Sequence, residues 1–401
     1  MNHLSDVYKN SLLIKKNSQA TLITMSTGMS MTTWENAGII QRELAYYKAL
    51  SKYIGNLLFL TYGEQTDSER HLLRQYIPGA QIVRMGSRLF SRIPNGFFMA
   101  SFVPPFFIHK FHSLSMVRTN QISGSWAGIS IARQKNIPFI LRCGYLMSKN
   151  VHLDKQASII KKKLTWLLEK WVARHAHAII VTYPGAKKYL IDNHRIYPEK
   201  IIVIGNPIDI DRFSPLSICS KGKRDVLFIG RFMPEKNIQS ILSACHKAKA
   251  SITLLGKGPL KSEMVQYANA LKLNAEFIDY MPNPHIPQLM DRHRLFLIAS
   301  HYEGNPKALL EAMSCEMPCI ASHIPEHNDL ILHEKEGLLA PPSAKSLSEA
   351  IQQILSNESF GHTLGKNARK KILAEYSLES NALKESRLHE QVLKNFHCYQ
   401  T

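Results

Sequence analysis

The stretch 303–311 reads EGNPKALLE, in which Glu303 and Glu311 flank a junction between a loop and a helix. Asn305 suits an N-cap and Pro306 suits the first helical position. The unpaired N–H groups and the positive dipole end of such a helix favour an anion in front of it, while the two carboxylates accept hydrogen bonds from alcohols. A sugar joined to a nucleoside diphosphate satisfies both requirements.

A second stretch, 226–237, reads VLFIGRFMPEKN and takes an apolar strand into a glycine and a cationic loop. Arg231 and Lys236 lie where the charge of a diphosphate would need compensation. Each stretch alone has an ordinary alternative, because glutamates on a capped surface helix and surface cations are usually only solvated. Their occurrence together, about 70 residues apart, favours a binding site.

Together the two stretches resemble the donor site of glycosyltransferase family 4, which comprises retaining enzymes of the GT-B fold. The family patterns are a Gly-Arg…Glu-Lys loop and a Glu-x7-Glu pair, and the resemblance covers about 226–342. It implies that Arg231 and Lys236 hold the diphosphate and stabilise the charge that accumulates on it as the sugar leaves. It also implies that Glu303 contacts the transferred sugar and that Glu311 contacts the ribose.

The same resemblance extends the donor site to neighbouring loops. The base of the nucleotide would be held by loop 279–283, largely through backbone groups. Backbone amides at the start of the helix would meet the phosphate or the sugar. The further donor-binding residues expected on this basis are Gly28, Gly230, Gly256, Met281, Pro282, Gly304, Asn305, Pro306 and Lys307.

The first half of the chain departs from the family pattern at two places. The loop after the first strand is not glycine-rich, and Trp34 within it is as consistent with a core residue as with a platform for the acceptor. Many relatives carry a histidine where this chain has Cys143. Arg142 beside it could replace that contact or be an ordinary salt-bridge residue, and Tyr145 is a further candidate for the acceptor site.

The chain alternates apolar strands with amphipathic helices in two series, which predicts two doubly wound, Rossmann-like α/β domains facing across a cleft. We expect an acceptor-binding domain at 1–208, a donor-binding domain at 209–377 and a helix at 378–401 that crosses back to the first domain. Residues 207–224 break the pattern and indicate a linker. The expected strands are 20–27, 56–62, 81–85, 114–118, 138–142, 178–182 and 201–204, then 226–229, 251–255, 276–278, 295–299 and 318–321.

The net charge is +19, and most of it lies in the first half. Residues 1–213 carry 28 Lys and Arg against 12 Asp and Glu, or +16, while residues 214–401 carry 22 against 19, or +3. This bias predicts an acidic partner for the first half, such as an anionic membrane or a lipid pyrophosphate, unless it serves only solubility. The basic segment 155–174 is either a membrane-surface helix or, in the interpretation we favour, a core-packing helix.

Other sequence features argue against several classes of protein. No apolar run is long enough to span a bilayer, and no signal peptide is evident, so we expect a cytoplasmic protein. A peripheral position on the inner face of the membrane is one alternative for it. Neither the six cysteines nor His109, His112, His175 and His177 have partners at zinc-ligand spacing, so we expect no metal ligand and no required cofactor.

The leading hypothesis is therefore a retaining glycosyltransferase of the hexosyltransferase type, acting on a glycan or lipid-linked acceptor in cell-surface polysaccharide or glycolipid assembly. Its co-substrate would be a nucleotide-diphosphate sugar. The alternatives are a GT-B phosphorylase or a nucleotide-sugar epimerase. A nucleic-acid-binding protein is a more distant alternative, since no basic cluster interleaved with stacking aromatics accompanies the charge.

Overall fold

The computed structural model describes residues 20–62, 67–84, 113–153, 157–216 and 224–398. These residues form two compact units. The first contains the described residues up to Val181, the segment Ala186–Ile204 and the residues from Ala382 onward. The second contains Thr182–Gly185 and Gly205–Asn381.

The first unit is built on a parallel sheet. Among the described residues it has seven strands in the order β3-β2-β1-β4-β5-β6-β7. The order reverses between β1 and β4, so right-handed connections from these strands cover opposite faces of the sheet. The strands are β1 (Ala20–Thr24), β2 (Asn56–Thr61), β3 (Gln81–Arg84), β4 (Leu114–Thr119), β5 (Phe139–Cys143), β6 (Ala178–Val181) and β7 (Ile201–Val203).

Helices connect these strands and cover the sheet. The strands are mostly apolar, as is typical of a parallel sheet buried on both faces. The helices that contribute to this unit are α1 (Met31–Asn36), α2 (Ile40–Ile54), α3 (Asp67–Tyr76), α4 (Ser125–Lys135), α5 (Met147–Leu153), α6 (Ile159–His175), α7 (Pro184–His194) and the far larger part of the last helix, Leu378–Cys398.

The second unit repeats the arrangement with six described parallel strands in the order β10-β9-β8-β11-β12-β13. The strands are β8 (Arg224–Ile229), β9 (Ile252–Leu255), β10 (Ala275–Ile278), β11 (His293–Ile298), β12 (Cys319–Ser322) and β13 (Leu338–Ala340). Its helices are α8 (Ile238–Ala248), α9 (Lys261–Ala270), α10 (Ile286–Asp291), α11 (Lys307–Ser314), α12 (Pro325–Asn328), α13 (Ala344–Ser356) and α14 (Glu358–Glu375), after which α15 (Leu378–Cys398) begins. The two predicted doubly wound parallel sheets are thus confirmed.

The interpretation of 207–224 as a linker is wrong for its first part. Ile208 and Phe213 are buried in the core of the second unit, and Ile208 forms a bridge with Ser377. The two apolar side chains attach this segment to the sheet. The free energy gained by burying them outweighs the tendency of the polar and turn-forming residues between them to remain in solvent. Residues 217–223 lie outside the described part of the chain.

A buried ion pair attaches α15 to the first sheet. The Nε of Arg118, on β4, lies 2.8 Å from Oε1 of Glu385, and both side chains are buried. The hydroxyl of Tyr46 donates to the other carboxylate oxygen at 2.5 Å, and Arg118 donates to the Tyr47 hydroxyl at 2.7 Å. Burial alone would raise the pKa of Glu385, but Arg118 and His389 hold that pKa well below its ordinary value.

None of the helices in the described ranges carries an apolar stretch that would let it cross a bilayer.

We predict that Glu385→Ala lowers the free energy of unfolding by about 3–5 kcal/mol, because it leaves the Arg118 guanidinium buried without its counter-charge. Chemical denaturation at neutral pH measures this loss. Because the folded-state pKa of Glu385 is depressed, the contribution is complete above the unfolded-chain value of about 4.3 and decreases as the pH falls below it.

The matched control is Glu390→Ala, which removes an exposed carboxylate from the same helix. It should change the unfolding free energy by no more than about 0.5 kcal/mol. Equal effects of the two substitutions would contradict the structural importance of the Arg118–Glu385 pair.

Candidate functional site

Three loops of the second unit meet at one edge of its sheet. β9, β8 and β11 are neighbours in the sheet and run parallel, so the loops that follow them lie side by side at the carboxyl edge. These loops are 230–237, 256–260 and 299–306, and they carry most of the donor residues expected from the sequence. The first two loops are packed together through close backbone contacts that require glycine.

Gly256 and Gly258 let the loop after β9 pack on the loop after β8. A Cβ atom at Gly256, where φ is +150°, would lie 2.0 Å from the carbonyl oxygen of Gly230. A Cβ at Gly258 would lie 2.4 Å from the carbonyl oxygen of Phe232. The amide of Phe232 donates to the Lys257 carbonyl at 2.8 Å and fixes the contact. Any side chain at these glycines would push the two loops apart.

Lys236 and Glu303 form an ion pair across the loops after β8 and β11. Their side chains are 13% and 10% exposed, so the pair is largely shielded from solvent. Ser300 holds the carboxylate in place through a hydroxyl that donates to Oε1 at 2.7 Å. The structure therefore brings together two residues that lie 67 positions apart in the chain.

Arg231 occupies a different environment from Lys236. Its side chain is 76% exposed, and its Nη2 lies 3.5 Å from Oε1 of Glu235. The Glu235 carbonyl accepts a hydrogen bond from the His301 amide at 2.8 Å, which joins this loop to the one after β11. Arg231 thus stands at the entrance to the loops, whereas Lys236 lies inside them.

The start of α11 differs by one residue from the sequence interpretation. Pro306 is the N-cap residue and the helix begins at Lys307, so Asn305 is not the cap. The Asn305 side chain instead accepts a hydrogen bond from the Asn206 amide at 2.7 Å, and its carbonyl accepts one from the Asn206 side chain at 2.7 Å. Pro306 has an extended backbone, and the helix follows it at Lys307.

The side-chain amide group of Asn305 is a hydrogen-bond donor without an acceptor among the described residues. This side chain is buried, and its Nδ2 has no hydrogen-bond partner among the described residues. A buried amide N–H without an acceptor is costly, so this group is able to donate to a ligand oxygen.

The remaining expected donor residues surround this centre. Glu311 is buried on α11, and Gly304 and Lys307 are half-buried. In the loop after β10, Met281 packs against the core while Pro282 is exposed. The Tyr280 ring is also exposed, with the Lys257 Nζ 6.0 Å from its centroid.

His327 is a buried residue near the ion pair that the sequence interpretation missed. Its Nδ1 lies 2.9 Å from the Ser322 carbonyl, and its Nε2 has no partner among the described residues. Burial lowers the pKa of His327, while the Ser322 carbonyl and the carboxylates of Glu303 and Glu326 oppose this effect. A single histidine five positions after a strand end carries no spacing signal that would have revealed it.

The candidates in the first unit lie in three different environments. Gly28 has φ +81° in the turn after β1, and a Cβ atom added there would have no atom within 4 Å. Trp34 is buried and stacks on Tyr47 at 6.4 Å, which favours the core alternative over the acceptor platform. Tyr145 is exposed.

Arg142 lies at the end of β5. Its backbone pairs with the Thr119 hydroxyl, its side chain is buried, and its Nε lacks a hydrogen-bond partner among the described residues. No ion pair is found for it in the described part of the chain, so the salt-bridge alternative gains no support.

Within the described ranges, no group of three or more His, Cys, Asp or Glu side chains is arranged to hold a metal ion. His109 and His112 lie outside those ranges.

Two family models match consecutive parts of the chain. The model described as "Glycosyltransferase Family 4" matches residues 60–212, and the model described as "Glycosyl transferases group 1" matches residues 211–371. The boundary between them is close to the start of the second unit at Gly205.

Curated relatives share low identity over long stretches. UDP-Gal:alpha-D-GlcNAc-diphosphoundecaprenol alpha-1,3-galactosyltransferase from Escherichia coli is 23% identical over 316 residues, covering 74% of this chain and 80% of that protein. N,N'-diacetylbacillosaminyl-diphospho-undecaprenol alpha-1,3-N-acetylgalactosaminyltransferase from Campylobacter jejuni is 26% identical over 245 residues, covering 57% of this chain and 65% of that protein.

Solved structures match nearly the whole chain. Sucrose-phosphate synthase from Thermosynechococcus elongatus aligns with a TM-score of 0.74 at 20% identity, covering 94% of this chain and all of that one. Anabaena HepE, solved with UDP and glucose, aligns with a TM-score of 0.74 at 16% identity, covering 93% of this chain and all of that one.

We predict that Gly256→Ala destabilises the protein by on the order of 3 kcal/mol, because the added Cβ collides with the Gly230 backbone. Gly28→Ala is the control: its φ is also positive, but no atom lies within 4 Å of the added Cβ, so only about 1 kcal/mol of backbone strain is expected. Urea unfolding of both variants measures the difference. If Gly256→Ala is no less stable than Gly28→Ala, the tight contact between the loops is refuted.

Proposed function

The chain belongs to glycosyltransferase family 4 and has the GT-B fold, and on that premise we propose that it is a retaining hexosyltransferase that uses a nucleotide-diphosphate sugar. The resemblance inferred from the sequence is thereby confirmed at the level of family, fold and enzyme class. The stereochemistry, the residue roles and the substrates below are our proposals.

The Lys236–Glu303 ion pair carries the proposal. A cation that is 13% exposed and already faces a carboxylate can exchange that partner for a phosphate oxygen at a small desolvation cost. Glu303, kept in place by Ser300, is then free to accept hydrogen bonds from the hydroxyls of the transferred sugar. One pair thus supplies a contact for each side of the bond that breaks.

The chemistry we propose is same-face attack within an ion pair. The bond between the anomeric carbon and the phosphate oxygen breaks, and the bond from that carbon to the acceptor oxygen forms on the same face. The acceptor hydroxyl proton passes to the departing phosphate oxygen. Lys236 stabilises the charge on the leaving diphosphate, and Arg231 at the entrance adds a second cation that can turn inward from its exposed position.

Neighbouring groups complete the donor site in this proposal. The unpartnered Nδ2 of Asn305 donates to the phosphate or to the sugar, and Glu311 accepts from the ribose. The loop with Met281 and Pro282 holds the base, and Gly230 and Gly256 allow the phosphates to approach the backbone. Gly304, Pro306 and Lys307 form the helix start that faces the anion.

Uridine is the base we propose, and a lipid-linked saccharide is the acceptor. The E. coli relative is named for UDP-galactose, and both it and the C. jejuni relative are named for acceptors on diphosphoundecaprenol. An acceptor with a lipid anchor remains at the bilayer surface, so we propose that the protein works on the cytoplasmic face of a membrane in polysaccharide or glycolipid assembly. Arg142 and Tyr145 are the acceptor-site residues that we propose, because the buried Nε of Arg142, which has no partner among the described residues, can donate to an anionic group.

We predict that Lys236→Met and Glu303→Gln each lower the rate of sugar transfer by about 100- to 1000-fold, the loss typical of removing one contact to the charge that develops in the transition state. UDP should raise the thermal unfolding temperature of the wild type more than GDP or ADP does, since a ligand of the folded state stabilises it by mass action. Lys236→Met should lose most of this increase.

The matched controls are Lys345→Met and Glu349→Gln, which change exposed residues of the same unit. Both should retain transfer and the response to UDP. Transfer by Lys236→Met and Glu303→Gln at the wild-type rate would refute the assignment, and a larger response to GDP or ADP would refute only the choice of base.

We predict that transfer continues in excess EDTA, because Lys236 and Arg231 can neutralise the diphosphate in place of a divalent cation. The measurement is the initial rate before and after chelation, with Mg²⁺ added back as the control. A complete loss that Mg²⁺ restores would contradict the proposal that no metal is required.

A further inference from the structure

Helix α6 exposes an apolar face to solvent. The exposed fractions are 83% for Ile159, 79% for Ile160, 55% for Leu164, 48% for Leu167 and 40% for Trp171. Five large apolar side chains are thus exposed on a single helix. Large apolar side chains that lie together on a surface usually mark an interaction site.

The exposed side chains form a single stripe. Ile160, Leu164, Leu167 and Trp171 follow one another at intervals of four, three and four residues, which places them on one side of a helix. The stripe extends over about 16 Å of the helix axis at 1.5 Å per residue. We call these four residues the α6 stripe.

The opposite side of α6 attaches the helix to the first unit. Glu169, Val172 and Ala173 are buried there. The Glu169 carboxylate accepts hydrogen bonds from the Ser148 backbone amide at 3.1 Å and its hydroxyl at 2.5 Å, and it contacts the His194 ring at 2.7 Å. The core-packing interpretation is therefore correct for one face of the helix and wrong for the α6 stripe.

Basic side chains border the α6 stripe. Lys161, Lys163 and Arg174 are exposed beside it, and Lys162 and Lys170 add two more cations to the helix. Its one acidic residue, Glu169, is buried on the far face. The solvent-facing surface of α6 thus combines apolar side chains with positive charge and has no acidic side chain.

From this surface we infer that the α6 stripe and its bordering cations dock the protein on an anionic lipid bilayer. A helix with an apolar face and flanking Lys and Arg lies in the interface plane, with the apolar side chains below the headgroups and the cations against the anionic lipids. Charge complementarity selects this partner, since a protein partner would not need a continuous positive border without acidic groups. The inference stands independently of the donor site and the proposed substrates.

The test is flotation of the full-length protein with vesicles made of equal parts phosphatidylglycerol and phosphatidylcholine, compared with vesicles of phosphatidylcholine alone. No sugar nucleotide is present, so the result does not depend on the proposed reaction. We expect the wild type to float with the anionic vesicles at low salt and to dissociate at high salt.

Two sets of substitutions separate the apolar from the charged contribution. Leu164→Gln with Leu167→Gln should weaken binding about 10-fold or more, because two apolar side chains leave the acyl boundary. Lys161→Gln, Lys163→Gln and Arg174→Gln together should weaken it by about 100-fold, since each cation near an anionic surface contributes about a factor of five. The Trp171 indole should shift its emission to the blue on anionic vesicles, measured as the difference between wild type and Trp171→Phe.

The matched control is Leu373→Gln with Lys370→Gln, which removes an exposed leucine and an exposed lysine from α14. It should float like the wild type. All variants change exposed side chains, so we expect each to keep the fold. The thermal unfolding temperature of each variant checks this.

Three outcomes would overturn the inference. One is equal flotation of the wild type and both sets of α6 variants. Another is equal binding to neutral and anionic vesicles. The third is an absence of vesicle binding. If the protein then self-associates, and Leu164→Gln with Leu167→Gln abolishes this self-association, the occupant of the stripe is a second copy of the chain.

Discussion

The parallel direction of the described strands is the constraint on which both units depend. A parallel strand cannot be followed by a tight turn, so the chain must return along a face of the sheet, and helices fill that return. Each loop that follows a strand therefore lies at the same edge. In the second unit this brings Gly230, Gly256 and Glu303 together, although they lie in three separate parts of the sequence. The candidate site is a consequence of the sheet rather than of any single loop.

In the function we propose, charge balance within the second unit prepares Lys236 for an anion. Without a ligand, Glu303 neutralises it in a place that is mostly shielded from solvent, and Ser300 stabilises the carboxylate. An incoming diphosphate would compete with Glu303 for the ammonium group. Because Ser300 would remain bound to the carboxylate, Glu303 would keep its orientation when its ion pair opens. Arg231 has no such enclosure, and its exposed position gives it the freedom to move.

Ordinary rules of folding are broken at several places, and three of these places belong to the proposed contacts. Asn305 and Arg142 each bury a nitrogen that has no partner among the described residues, while the α6 stripe exposes apolar side chains. In contrast, the equally buried Arg118 is satisfied by Glu385 and Tyr47 and serves the fold. Unsatisfied polar groups in the interior and apolar groups on the surface are both unfavourable, and in the functions we propose, binding partners satisfy those at Asn305, Arg142 and the α6 stripe.

The sequence by itself determined the fold class, the strands and the order of the donor motifs. Hydrophobic runs bounded by turn residues located twelve strands within a few residues, because burial on both faces of a parallel sheet leaves a strong local pattern. The strand Leu338–Ala340 was missed because Leu-Leu-Ala lacks the β-branched residues that mark the equally short strand Ile201–Val203. Only the tertiary structure decided that Trp34 is buried, that Asn305 bonds to Asn206 rather than capping α11, and that the α6 stripe faces solvent. These outcomes depend on contacts between residues far apart in the chain, and such contacts leave no trace in local spacing.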